Sequence, residues 1–269
     1  MMFSGKQKYK RWKTAGLVII TFLTLILFPR TNKPSKNTDE GYSVTISMFK
    51  EKFFESLPDA ILNERDELKK SSSFDEIAFW KEKGFTAGIA LGAYYYAEQH
   101  PSDSSWTEAG MCFVKNAFSV PDKDRKESFI LALQCFDKAL GLNSDYRPAL
   151  MNKASVLVES GMNPMEGIGI LKKLEFQDST DAELLIRLGR YSLQSRQTNK
   201  AMERFHRALK SDSSRLDALL YLADIYKEKG ETVLALKYLK MFASKTPNPE
   251  EKKAAFEFIR EIENTMSNF

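Results

Sequence analysis

Apolar residues recur at helical spacing along most of this chain, and over its last third the pattern repeats itself. Shifting Leu216–Pro247 back by 34 residues brings Leu219, Leu222, Ala223, Ala235, Leu239 and Phe242 onto Leu185, Leu188, Gly189, Ala201, Phe205 and Ala208. A fixed period of this length marks stacked units of two short helices, none of which can bury its apolar face alone. Gly230 falls at the turn inside the last unit, where a helix end favours a residue tolerant of positive φ. The small residues let paired helices approach, and the large ones fill the space between them.

The template extends upstream with growing departures. Residues 147–181 carry it as Leu150, Ala154, Leu157, Gly161, Gly167, Leu171 and Leu174, one residue long at Met162–Met165 and with Lys153 at an apolar position. Residues 103–146 open with Trp106, Ala109, Gly110 and Phe113, but Ala132, Phe136 and Ala139 arrive about ten residues late. This unit has either longer helices or an enlarged loop at Val120–Asp124. Residues 71–102 fit through Phe74, Ile77, Ala78, Ala90, Tyr94 and Ala97. Ser73 and Glu76 have capping-box spacing there. Gly84, Gly88 and Gly92 either permit close packing or mark the turn. In residues 182–215, Arg196 takes the turn position and Ser192 the aromatic one; residues 216–249 form the fifth unit. Residues 250–266 read as a polar capping helix with Phe256, Ile259 and Ile262 facing back.

The order of a large residue, Leu-Gly or Leu-Ala, an aromatic, Ala, a large residue and Pro resembles the tetratricopeptide repeat (TPR). The last unit shows it as Leu219, Leu222-Ala223, Tyr226, Ala235, Leu239 and Pro247. The resemblance covers Ser71 to Met266. It implies an all-α fold, a right-handed superhelix of helix hairpins (an α-solenoid), preceded here by an N-terminal transmembrane helix.

That transmembrane expectation rests on Thr14–Phe28, which carries no charge. With its flanks it gives about 18 residues, the lower end of a bilayer span. Residues 14–29 therefore read as a signal anchor, with cleavage as a signal peptide and an ordinary buried helix as alternatives. Residues 1–13 are a basic tail and 30–41 a polar linker. Five basic residues precede the run and three follow it. This places the N-terminus in the cytoplasm and the repeats on the extracytoplasmic (periplasmic) side of the inner (plasma) membrane. Residues 42–70 form two helical pieces broken at Pro58, with one stripe of Val44, Met48, Phe49, Phe53 and Leu57 and a second of Ile61, Leu62 and Leu68. They either pack on the first repeat or self-associate near the membrane.

Charge reinforces this division. The eight cations of residues 1–36 leave −4 for the remainder of a chain whose net charge is +4. The basic pI of 8.8 thus belongs to the N-terminus and does not point to nucleic acid. His100 and His206 neighbour no nucleophile, and Cys112 and Cys135 have no metal-ligand spacing. The two cysteines read as buried free thiols, with a disulfide as the alternative. Gly167-Ile168-Gly169 lies inside a helical pattern and is no phosphate loop. No enzyme, cofactor or metal is expected.

The resemblance implies a concave groove lined by the first helix of each repeat. Its exposed positions here include Met111, Met151, Asn152, Ser155, Arg187, Arg190, Gln194, Tyr221 and Asp224. Methionines adapt to varied partners, and Arg and Tyr are common interface anchors. Arg187 and Arg190 suit acidic groups or a terminal carboxylate. A competing reading makes some of these residues inter-repeat core. The carboxylate clamp of chaperone-tail receptors is not expected, because Thr107, Met111, Asn152, Glu183 and Arg187 match its pattern at only two of five places. The expected function is non-catalytic binding of a protein or peptide in the groove. The alternative is an assembly or tethering factor for a cell-envelope complex of cell-wall or cytochrome-biogenesis type.

Overall fold

The computed structural model describes residues 45–70 and 75–267. Among them are thirteen α-helices, one 3₁₀ turn and no strand. The expected transmembrane segment, residues 14–29, lies outside the described residues. No described helix is long and apolar enough to cross a membrane. The described residues form two compact units, one ending at Leu174 and the other starting at Glu175.

The first unit opens with α1 (Ile46–Glu55) and α2 (Asp59–Leu68). Pro58 separates them. It can donate no backbone hydrogen bond, so it stands at the N-cap of α2 with φ −63°. Phe49, Phe53 and Leu57 are buried, whereas Met48 of the same expected stripe is 58% exposed; Val44 lies outside the described residues. Phe49 meets Phe113 edge-on at 5.4 Å, and Phe53 meets Trp80 at 5.2 Å. The pair therefore packs on the helices that follow it. Arg65 lies over the Phe54 ring at 4.6 Å and pairs with Glu76 at 2.5 Å.

The next hairpin is α3 (Glu76–Lys83) with α4 (Thr86–Gln99). Ser73 of the expected capping box lies outside the described residues; Asp75 caps α3, accepting from the Ala78 N–H at 3.0 Å. Gly84 makes the turn in the left-handed region, at φ 76°. Gly88 serves close packing instead: a Cβ there would lie 2.4 Å from Trp80 Cγ. Both readings of the glycines hold, at different positions.

The expanded unit is α5 (Asp103–Ser119) and α6 (Arg125–Leu142), joined through the 3₁₀ turn Asp122–Asp124. The extra residues go into helix length, 17 and 18 residues, rather than into an enlarged loop. Length buries polar groups as well as apolar ones. Asn116 donates to Ser128 Oγ at 2.8 Å and accepts from Thr86 at 2.7 Å, which satisfies its buried amide. The unit continues with α7 (Arg147–Glu159), a turn at Gly161, and α8 (Pro164–Gln177), within which the unit boundary falls. Lys153, the irregular position, pairs with Asp137 at 2.6 Å.

The second unit contains α9 (Ala182–Gln194), α10 (Thr198–Ser211), α11 (Leu216–Glu228), α12 (Thr232–Lys245) and α13 (Pro249–Ser267). Leu185, Phe205, Leu219 and Leu222 are buried to 1% exposure or less, each contributing about 1.5–3 kcal/mol relative to exposure. In α13, Ala255 and Ile259 are buried and Ile262 half-buried, but Phe256 is 45% exposed. Phe256 was expected to face back. It lies one residue, about 100° of helix, off the stripe through Ala255 and Ile259.

Candidate functional site

The first helices of the hairpins divide the expected groove residues between the two units. In the first unit Met111 of α5 is 37% exposed, Asn152 and Ser155 of α7 are half-buried, and Met151 is buried at 7%. Met151 is therefore a packing residue rather than an open wall. Beside α1 a cavity of ≈ 250 Å³ is lined by Met48, Phe49, Glu51, Lys52, Glu55 and Glu127; Lys52 bridges it to Glu127 at 3.0 Å.

In the second unit Arg187, Arg190, Gln194 and Asp224 are half-buried along α9 and α11. Tyr221 is 2% exposed, its ring stacked on Phe205 at 4.7 Å and 6°. It fills the gap between adjacent helices, as the competing core reading had it. Arg187 is not an open cation either. Its Nε donates to Glu183 Oε1 at 2.9 Å, and Glu183 Oε2 accepts from Arg215 at 2.6 Å. Arg215 also reaches Asp217 at 2.8 Å. Burial opposes ionisation of Glu183, but the two arginines outweigh it and hold its carboxyl below the ordinary range. The Glu183–Arg187 spacing of one turn was readable; the Arg215 contact spans 32 residues and left no local signal.

Asp224 differs from its neighbours. Among the described residues its carboxylate has no hydrogen bond or ion pair. Burial, and then Glu228, raises its carboxyl above the ordinary value, with Lys227 only partly opposing them. The Lys227 ammonium lies 4.5 Å over the Phe258 ring.

A second polar group replaces the missing aromatic at Ser192. The hydroxyl is buried, donates to Leu188 O at 2.9 Å and accepts from Arg204 at 2.6 Å. Arg204 also reaches Glu175 at 3.5 Å.

The two cysteines are placed unfavourably for nucleophilic chemistry. Cys112 is half-buried and Cys135 fully buried, and both are free thiols. Burial pushes them up to about 11 and about 12, far from the thiolate that attacks or ligates. Among the described residues no group of three or more His, Cys, Asp or Glu could hold a metal ion.

No protein-family model matches the chain, and no curated protein matches it. Among solved structures, MamA is similar at 19% identity over 67% of this chain and 98% of that one, with a TM-score of 0.47. MamA from Desulfovibrio magneticus RS-1, residue 41 to its end, is similar at 15% over 70% and 96%, TM-score 0.46. YrrB, described as a TPR protein with an unusual peptide-binding site, is similar at 18% over 74% and 98%, TM-score 0.42.

Proposed function

We propose that this chain is a non-catalytic interaction module, tethered to the membrane by residues 14–29, that holds a protein or peptide partner on the first helices of its repeats. The observation that carries this is the face of α9 and α11, where Arg190, Gln194 and Asp224 are half-buried side by side with aliphatic residues. A face meant only for water would expose such groups, and a core would exclude them. The charge distribution supports a cytoplasmic N-terminus with the repeats on the other side.

A photo-crosslinking residue placed at Asp224 in the full chain in intact membranes tests the binding face. The same residue at Val233, 70% exposed on α12, is the control. One partner captured from position 224 and not from 233 is expected. Equal capture from both, or none from 224, refutes the face. A phosphatase fusion at the C-terminus tests the orientation: activity is expected, and an inactive, cytoplasmic fusion refutes it.

A further inference from the structure

The packed side of α8 is the stripe Gly167, Leu171 and Leu174. At 100° per residue, the crest opposite that stripe carries Met165, Gly169, Lys172 and Phe176. A helix crest turned to water is ordinarily polar. Here Met165 is 80% exposed and Phe176 93%, more than any other large hydrophobic side chain among the described residues. Met162, just before the helix, is exposed as well. Lys173 stands beside the crest, so two ammonium groups accompany the apolar residues. The acids of the helix lie off the crest. Glu166 accepts from Asn163 at 2.7 Å, and Glu175 is held by Arg204 and Arg207. The crest residues share one continuous helix, so the helix itself fixes their register.

Apolar side chains on a crest with lysines beside them match a bilayer surface that carries anionic headgroups. The ring and the thioether enter the headgroup boundary, while the lysine stems lie along it with their ammonium groups among the phosphates. So few side chains give a free protein only weak membrane affinity, but a tether changes that. Residues 30–44 join the expected membrane segment to the first described residue. An extended chain of that length spans about 50 Å at most. Met165 belongs to the same compact unit as that first described residue. The bilayer thus stays within reach, and effective concentration populates a weak contact. We infer that α8 lies on the bilayer surface, with Met165 and Phe176 at headgroup level and Lys172 and Lys173 on anionic lipid. This rests on the reading of residues 14–29 as a membrane tether and gives the tethered chain a second, surface contact.

The test uses the full-length chain reconstituted in vesicles of phosphatidylcholine and phosphatidylglycerol whose acyl chains are brominated near the headgroup. A fluorescent amino acid takes the place of Gly169, on the crest with nothing within 4 Å, or of Val233 on α12 as the control. Quenching at 169 well above that at 233 is expected. It should fall to the level of 233 when Met165→Ser and Phe176→Ser are combined. It should weaken when Lys172→Gln and Lys173→Gln are combined, or in vesicles of phosphatidylcholine alone. All four side chains are exposed, so these variants leave the buried stripe of α8 untouched. Equal quenching at 169 and 233, in a chain that stays in the vesicles through an alkaline carbonate wash, overturns the α8 contact and leaves the tether intact. Release of the chain by carbonate overturns both. Undiminished quenching in the double serine variant overturns the contact through Met165 and Phe176. Blue-shifted but unquenched emission at 169 means that a second copy covers the crest, and overturns the bilayer as its occupant.

Discussion

The phenol rings of Tyr226 and Tyr238 lie parallel, their planes within 1° and their centroids 5.5 Å apart. His206, from the preceding repeat, bridges the two hydroxyls: Nε2 is 3.2 Å from Tyr226 Oη and Nδ1 3.5 Å from Tyr238 Oη. Burial, and then Lys237, lower the imidazole pKa. The fold therefore prefers neutral His206. Its contribution is present above the unfolded pKa of about 6.5 and is lost as pH falls through the folded value. Urea midpoints should be lower at pH 5.5 than at pH 7.5, and the difference should shrink in His206→Gln. An unchanged difference in the variant would assign the pH dependence elsewhere.

Helix-pair approach gives a second test. A Cβ at Gly189 would lie 2.5 Å from Phe205 Cε1, and one at Gly110 would lie 2.5 Å from Phe136 Cε1. Both rings are fully buried and have little room to yield. Gly189→Ala and Gly110→Ala should each destabilise by about 1–3 kcal/mol through overpacking. Gly169→Ala, on α8 with nothing within 4 Å, should instead stabilise by about 0.5–1 kcal/mol. Chemical denaturation of the three variants separates packing from backbone entropy.

These glycines show how far the sequence reaches. The coincidence of Gly189 with Ala223 at a fixed period revealed the hairpins, because small-to-large complementarity repeats with the chain. Gly88 was ambiguous because closeness to Trp80 and a turn both call for glycine; only the neighbouring backbone at Gly84 distinguishes them. The wall was less legible. Tyr221 and Met151 occupy positions that face outwards in the pattern but are buried in the structure, Tyr221 against the Phe205 ring of the preceding helix. The Asn116–Ser128 pair depends on helix lengths that departed from the repeat. Asp224 was legible as a position, but its raised carboxyl depends on burial and on Glu228, with Lys227 only partly opposing them.

Arg196 and Gly230 occupy the same turn in successive repeats. Arg196 has φ 59° and Gly230 φ 75°, both left-handed. Such a conformation costs an L side chain about 1–2 kcal/mol and glycine almost nothing. Arg196→Gly should raise stability by up to about 1 kcal/mol, partly offset by the greater freedom of glycine in the unfolded chain. Gly230→Ala should lower it by about 1 kcal/mol, although nothing lies within 4 Å of the new Cβ. Opposite shifts in thermal midpoint are expected. Equal shifts would show that the turn is not what limits either repeat.

Glu183 joins α9 to the start of α11 through Arg215, 2.6 Å away, while holding Arg187 on its own helix at 2.9 Å. Because the two arginines keep its folded-state pKa depressed, its stabilisation is present above the unfolded value of about 4.3 and is lost as pH falls through the folded one. Glu183→Gln should cost about 1 kcal/mol at neutral pH, well short of a buried pair because the Glu183 side chain is 44% exposed. It should also flatten the loss of stability between pH 5 and pH 3. Arg187→Glu would place a second carboxylate against Glu183, so it is expected to lower stability and cannot serve as a pure binding variant. Arg187→Gln is the milder probe. If Glu183→Gln left both the neutral-pH stability and the acid limb unchanged, Arg215 would be held by Asp217 alone and the link between α9 and α11 would rest on their apolar contact.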